Sequence, residues 1–525
     1  INVGVAITAG KLGIGFTDTN VKIGNTALDS LTTGTNNVGV GQEALTASTT
    51  GYRNVAVGVR AAKTITTGNS NVAIGYECLE FTTTGSQNVA VGHQALEANT
   101  TADGNIAIGN AAMVSNTTGN NNIAIGAMAL DANTTGSQSI AIGSNALGSQ
   151  NADVKNVAVG YRALQGTTSG TSNVGMGRDV LYTNTTGSYN IAIGNDALGN
   201  NTTANNNVAV GYNCLAANTT GAGSVALGYE ALVANTTGSG CVAIGFRALK
   251  TSTTNTDNVA VGYEALEACT SGKNVAVGWN ALKADSGAVY CTALGFDALA
   301  HQTGTRSHNT AVGNRAMQAV VTANSNTAVG SECMYSSTTG EQNAAVGKGA
   351  LYTNTTGSNN VAIGKDALYL NTTGSTNIAV GRSALAQNTT ASNNVAIGDN
   401  SLNANTTGGE NTALGHQSLQ TAVTDNANTA IGYRALESAN GAGYCTAVGS
   451  RSLEDTTTGD NNTAVGYNAL HANTEGTNSV AVGYGALTAQ TTGGINAAVG
   501  YQAMAACTTG YYSVAVGAYA GDNMT

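Results

Sequence analysis

The sequence has no proline among its 525 residues, and only 9% of them are charged, although about a quarter is typical of globular domains. Proline cannot donate to a β-sheet hydrogen-bond ladder, so a chain without it suits a continuous stack of strands. No run of eighteen apolar residues occurs, and we therefore expect no segment of this chain to insert into a membrane.

Basic charge and recognisable catalytic motifs are also scarce. The net charge of −10 argues against nucleic acid or an anionic membrane as a partner. Glycine is abundant, yet no phosphate-binding Gly-x-x-x-x-Gly-Lys-Ser/Thr occurs, and neither Cys-x-x-Cys nor a histidine-rich spacing suggests a metal. We therefore expect no enzyme, no catalytic residue, no cofactor and no metal. The chain opens on Ile1 without a signal peptide, which suggests a piece of something longer.

Glycine instead marks a repeat with a period of seventeen. An aliphatic residue followed by glycine recurs at this period from Gly24 to Gly262, which is fourteen repeats. The pattern resumes from Gly313 to Gly517. Between these two runs, successive repeat glycines are sixteen, seventeen and eighteen residues apart. A short fixed period predicts a solenoid. We assign 1–20 to an irregular N-terminal cap or junction, 21–517 to a solenoid of about thirty coils, and 518–525 to the C-terminal end.

One repeat, residues 88–104, shows what a coil contains. Its first residues alternate with the period of a strand, which predicts that Val89 and Val91 face the core and that Ala90 faces away. Leu96 supplies the next inward side chain from a second short extended segment, and Asn-Thr-Thr-Gly is turn chemistry. Glycine and β-branched residues disfavour a helix. Because the Ala90 column stays small, we expect an identical chain to pack against it.

The fold predicted from these residues is all-β, a parallel β-roll that forms a homo-oligomer. The stretches at 88–92, 105–109 and 224–228 resemble the head repeat of YadA-like trimeric autotransporter adhesins. The longer form with Asn-Thr-Thr-Gly resembles repeats of phage tail-fibre proteins. The resemblance implies a left-handed β-roll, a homotrimer with the Val-Ala-Val strands inward, and an extracellular place on a cell surface or virion. It also implies a host-surface glycan or protein receptor as partner.

The cysteines and histidines do not form a pattern. No two of the eight cysteines share a column in adjacent coils, so stacking does not pair them within a chain. The five histidines lie in different columns without a recurring acidic or nucleophilic partner, and we interpret them as solvated: His93, His301, His308, His416 and His471.

Two columns are candidate binding features. The position after the glycine is aromatic in six successive coils, either as a stabilising stack or as a ladder that docks saccharide rings or a protein: Tyr212, Tyr229, Phe246, Tyr263, Trp279 and Phe296. Eleven loops read Asn-Thr-Thr, either for turn geometry or as N-glycosylation acceptors. These begin at Asn99, Asn116, Asn133, Asn184, Asn201, Asn218, Asn235, Asn354, Asn371, Asn388 and Asn405.

The function predicted from the sequence is that of a structural fibre segment of a trimeric surface adhesin or phage tail fibre, acting as rigid spacer and attachment surface. The alternative is a glycosylated or ligand-binding extracellular filament whose loops carry sugar or contact glycan or ice. The two adjacent threonines of each loop would face opposite ways in a strand, which disfavours a flat ice-binding array.

Overall fold

The structure is a computed structural model that describes residues 19–305, 307–522 and 524. The proposed cap at 1–20 lies outside these residues except for its last two. In the described part of the chain every regular element is a three-residue strand, and helices are absent. The repeats divide into two compact units, with the boundary between Asn258 and Val259.

The strands recur once per repeat in both units. The first unit holds β1 Val21–Ile23, β2 Val38–Val40, β3 Val55–Val57, β4 Val72–Ile74, β5 Val89–Val91, β6 Ile106–Ile108, β7 Ile123–Ile125, β8 Ile140–Ile142, β9 Val157–Val159, β10 Val174–Met176, β11 Ile191–Ile193, β12 Val208–Val210, β13 Val225–Leu227 and β14 Val242–Ile244. The second unit holds β15 Val259–Val261, β16 Val275–Val277, β17 Thr292–Leu294, β18 Thr310–Val312, β19 Thr327–Val329, β20 Ala344–Val346, β21 Val361–Ile363, β22 Ile378–Val380, β23 Val395–Ile397, β24 Thr412–Leu414, β25 Thr429–Ile431, β26 Thr446–Val448, β27 Thr463–Val465, β28 Val480–Val482, β29 Ala497–Val499 and β30 Val514–Val516.

Within each unit every strand pairs in parallel with the next one along the chain. The register follows the repeat, so that Ala90 lies beside Ala107, its equivalent in the next coil. The two departures from the period leave the register intact, because β15 and β16 pair across the shortened repeat and β17 and β18 across the lengthened one. The loops absorb the difference. The all-β parallel solenoid predicted from the repeat is confirmed: the described residues form a parallel β-solenoid of about 29 turns.

The remainder of each coil is a series of turns, so the predicted second extended segment is wrong. Gln94 and Leu96 have φ of 54° and 52°, and the equivalent positions of other coils are also left-handed. Before them, Gly92 has φ of 137°, and a Cβ there would lie 2.4 Å from the carbonyl oxygen of Gly109 in the next coil. Only glycine tolerates both conditions. These residues turn the chain back so that Leu96 points inward, where it is fully buried.

The interior is lined by alanine and leucine. Ala90, Ala95 and Leu96 are completely buried, as are their equivalents in nearly all coils. The leucine column was correctly predicted to form the core. The valine and alanine columns were assigned to the wrong sides, because Ala90 faces the interior whereas Val89 and Val91 face outward and are only half-buried.

The width of the coil explains this reversal. At two strands the interior position is glycine, and a Cβ placed there shows how much room exists. At Gly175 it would lie 2.3 Å from Leu164 Cδ1, and at Gly39 it would lie 3.2 Å from Leu28 Cγ. The leucine therefore fills the space opposite the strand, so a residue larger than alanine would displace it, and at Gly175 even alanine would. The small residues are required by the chain's own leucine column, not by a second chain.

Two ladders of buried asparagine complete the interior. In the ladder that leads each strand, Asn105 donates its backbone N–H to Asn88 Oδ1 at 2.9 Å and its Nδ2 to Gly119 O at 2.8 Å. In the loop ladder, Asn116 Nδ2 donates to Gly119 O at 3.0 Å. Each amide thus satisfies backbone groups that the turns leave unpaired inside the coil.

Candidate functional site

The largest candidate surface is made by the outward residues of the strands, and we call it the aliphatic face. It consists of the first and third residue of every strand in each unit. Many third residues are well exposed, from 36% at Ile125 to 48% at Ile23, and Val516 of the last strand is 73% exposed. None of these outward positions in the thirty strands carries a charged residue. Soluble monomers rarely expose a continuous apolar patch of this extent.

The two columns of the aliphatic face differ in how strictly they are apolar. The third residue is Val, Ile, Leu or Met in all thirty strands. The first residue is Val or Ile in the fourteen strands of the first unit, but Thr or Ala in nine of the sixteen strands of the second. The third column therefore has the stronger requirement for an apolar environment.

The aromatic column lies two residues after the third column of this face, directly after the repeat glycine. Within the first unit Tyr212, Tyr229 and Phe246 are stacked, with ring centroids 5.2 and 5.3 Å apart. The second unit holds Tyr263, Trp279 and Phe296, with centroid distances of 4.0 and 6.5 Å. Four of the six rings, those of Tyr212, Tyr229, Trp279 and Phe296, are 42–48% exposed, and the other two are half-buried. Stacking and exposure are thus both present in each unit.

The eleven Asn-Thr-Thr asparagines do not lie on the surface. All of them, from Asn99 to Asn405, are completely buried in the loop ladder. Asn371 Nδ2, for example, donates to Asn354 Oδ1 at 2.8 Å and to Gly374 O at 2.9 Å. A glycan on such a nitrogen has no room in the folded coil. The first threonine of each loop donates to the next coil, as Thr100 Oγ1 does to Thr117 O at 3.1 Å, and the second is exposed.

The cysteines are buried, and their columns predicted that stacking would not join them within a chain. None of the eight, all of which lie in the described part of the chain, forms a disulfide. Burial raises the pKa of the Cys78, Cys269 and Cys333 thiols to about 12. A protonated, inaccessible thiol is neither a nucleophile nor a metal ligand, so these residues serve packing.

The loop of the repeat that follows the shortened one contains a buried carboxylate that sequence reasoning missed. Asp285 occupies an asparagine position of the loop ladder and is completely buried. Its Oδ2 accepts hydrogen bonds from Ser271 Oγ at 3.0 Å and Asn274 Nδ2 at 3.2 Å, and its Oδ1 accepts from the backbone N–H of Ala288 at 2.9 Å. Burial nevertheless raises the pKa of Asp285. Donors on both oxygens make this a structural substitution within the ladder.

Three further carboxylates, of Glu77, Glu80 and Glu97, have oxygens within 4.8 Å of one another. Arg60 Nη1 lies 2.9 Å from Glu77 Oε1 and 4.0 Å from Glu80 Oε1. Burial raises the pKa of Glu80 and of Glu97. The group is an ion-pair network between adjacent coils. Recurrence of charge at the second and fifth positions after the glycine would have been its signal in the sequence.

Comparison with known proteins does not assign a family to these surfaces. No protein-family model matches the chain, and no curated protein matches it. Among the described residues, none belongs to a helix with the length and apolar character needed to cross a membrane.

Proposed function

We propose that this chain is a structural, non-enzymatic fibre segment of a trimeric surface adhesin or phage tail fibre, in which three copies pack through their aliphatic faces. The observation that carries the proposal is the outward column of Val, Ile, Leu or Met in all thirty strands. The assembled segment acts outside the cell, as a rigid spacer whose remaining surface attaches to a host-surface glycan or protein receptor.

The energy available from this face is of the order that association requires. A third-column side chain that is 36–48% exposed, such as Ile125 or Ile23, gains about 0.5–1.5 kcal/mol when the exposed part is buried. Eight of the fourteen third-column residues of the first unit are this exposed, and together they would gain about 4–12 kcal/mol. Association costs about 4–15 kcal/mol in lost rigid-body freedom. The two ranges overlap before the second unit contributes.

A second copy of the chain is the occupant that fits the face best. Its side chains recur at the strand spacing of about 4.8 Å, and another solenoid of the same chain repeats at the same distance. A parallel copy therefore meets the same contact in every coil. The third column, which never departs from aliphatic residues, would lie nearest the symmetry axis. The first column, which tolerates Thr292 and Ala344, would lie toward the rim.

The attachment part of the proposal draws on the exposed aromatic rings. Trp279, the largest ring, is stacked on Tyr263 and 48% exposed. If it anchors a receptor, Trp279→Ala weakens adhesion to the host surface while the melting behaviour stays unchanged, since aromatic anchors dominate contact energy. Loss of local stability with unchanged adhesion would assign the rings to stacking alone.

The trimer is tested by charging the aliphatic face. Ile108→Glu combined with Ile125→Glu places two carboxylates on the third column, and we expect the assembly to dissociate. The matched control is Thr118→Glu, on an exposed loop of the same coils, which leaves the mass unchanged. Light scattering measures both. A double variant with the mass of the native protein would overturn the proposed interface.

A further inference from the structure

A second stack of rings lies five residues after the repeat glycine, away from the aromatic run described above. Tyr335, Tyr352 and Tyr369 occupy this column in three successive coils of the second unit. Their ring centroids are 5.1 and 5.0 Å apart and the rings are stacked. In the next coil the position is Ala386, so the stack ends and one face of Tyr369 is not covered by another ring.

The space above this face is bounded by a polar side chain. The next large residue of the column is Asn403, two coils beyond Tyr369. Its Nδ2 donates to Ser383 O at 2.8 Å, so the Asn403 side chain reaches back to the coil of Ala386 and closes the far side of this space.

A cavity of about 400 Å³ lies at this place, between Tyr369, Leu370 and Ala386. It is enlarged by Gly349, which stands where the neighbouring coils carry Glu332 and Asp366. A Cβ on Gly349 would already lie 2.8 Å from Asp366 Oδ1 and 3.3 Å from the Tyr369 ring. The missing side chain therefore keeps the edge of the tyrosine open as well as its face.

The polar groups around the cavity are of both signs. Lys348 and Lys365 supply ammonium donors, and Glu332 and Asp366 supply carboxylate acceptors. Lys365 Nζ lies 3.5 Å from Asp366 Oδ2. Two positive and two negative charges cancel, which favours a neutral ligand that both donates and accepts hydrogen bonds over an anion or a cation.

We propose that this cavity binds a neutral pyranoside, with an apolar C–H face of the sugar against the free face of Tyr369 and its hydroxyls toward the lysine and carboxylate groups. The negative face of an aromatic ring attracts polarised C–H groups, and alternating donors and acceptors match adjacent hydroxyls. The proposal rests on the attachment role given above but not on trimer formation, because every residue involved belongs to one chain.

The chain offers its own comparison site. A cavity of about 380 Å³ lies beside Ala300, at the same column position as Ala386. There the preceding coil contributes Lys283 instead of an aromatic ring. This cavity has a similar volume and is lined by His301 but by no tyrosine, so it separates the effect of the Tyr369 face from that of the alanine gap.

The test is titration of the full chain with methyl β-D-galactopyranoside and methyl β-D-glucopyranoside, with saturation-transfer NMR as the readout of binding. We expect one or both to bind with a dissociation constant of about 1–10 mM. Ala386→Tyr extends the stack over Tyr369 and should weaken binding at least roughly tenfold without lowering the thermal midpoint. Ala300→Tyr is the matched control and should bind as the native chain does.

Two substitutions at Tyr369 test the site independently of whether Ala386→Tyr folds. Tyr369→Phe keeps the ring face and should retain binding, whereas Tyr369→Ala should lose it. Absence of binding by the native chain up to about 50 mM of either glycoside overturns the proposal. The proposal is also overturned if Ala386→Tyr binds the glycosides with native affinity, or if Ala300→Tyr loses as much affinity as Ala386→Tyr does. If the native mass is trimeric while no glycoside binds, this site fails and the fibre proposal stands.

Discussion

Replacing Asn116 with alanine removes one rung of the loop ladder and shows how much the buried amides stabilise the coil. Asn116 Nδ2 donates to Asn99 Oδ1 at 3.3 Å and to Gly119 O at 3.0 Å, and its Oδ1 accepts from Asn133 Nδ2 at 3.0 Å. Gly119 O keeps its bond from Asn105 Nδ2 and Asn133 Nδ2 keeps its bond to Gly136 O. Asn99 Oδ1 loses its donor and remains buried.

The expected cost follows from these contacts. Three lost hydrogen bonds at about 1 kcal/mol each, with at least about 1 kcal/mol for the stranded Asn99 oxygen, give about 4 kcal/mol. In a solenoid the loss is felt mainly by neighbouring coils. We therefore expect faster amide hydrogen exchange around residues 99–133 and a lower urea midpoint.

The matched control is Thr118→Ala, two residues away on the exposed side of the same loop. A surface change of this kind alters stability by less than about 0.5 kcal/mol. If Asn116→Ala unfolds at the same urea concentration as Thr118→Ala, the buried ladder does not stabilise the coil as described and the reasoning fails.

Three further predictions concern the backbone, the buried acid and the thiols. Gly92→Ala should cost more than about 3 kcal/mol in urea unfolding, because its Cβ meets the next coil at 2.4 Å, whereas Gly223→Ala, with no atom within 4 Å, should cost about 1 kcal/mol. Asp285→Asn should gain stability relative to the native chain at pH 7 but not at pH 3. Burial raises the pKa of Asp285, so the native chain loses stability as pH rises from the unfolded value through the raised folded one. An equal difference in unfolding free energy between Asp285→Asn and the native chain at both pH values would contradict this prediction. Reducing agent should leave the thermal midpoint unchanged, since the described part of the chain holds no disulfide; a fall of many degrees would reveal disulfides between chains.

The period, strand positions and leucine column could be predicted from the sequence because each depends only on repetition at a fixed interval. The sequence did not predict which side of the strand is buried, because Val89 and Ala90 are both apolar and alternation alone does not distinguish the two sides. The larger residue was taken as the buried one, yet Leu96 and its equivalents leave room only for alanine. The absence of charge from the valine columns was the available signal that these too require an apolar environment.

The position of the loop asparagines could not be predicted for a related reason. Asn-Thr-Thr is typical both of turns and of glycosylation acceptors, and the burial of Asn99 depends on how its amide reaches across the loop to Ala102 O at 3.3 Å. The whole column gave a hint. Its substitutes include Gln150, Thr167, Ser252 and Asp285, and also the apolar Ile65 and Val320, but never Lys, Arg or Glu, as expected of a narrow buried position. The candidate sugar site could not be predicted, since it depends on which ring ends a stack.

The central claim is that three chains join through the aliphatic face, and the molar mass of the native protein in solution tests it most directly. The chain mass is 52.0 kDa, so multi-angle light scattering should report three times this value, independent of reducing agent. A monodisperse species of 52.0 kDa at micromolar concentration would contradict the claim, because the aliphatic face would then be stable in water without a second copy.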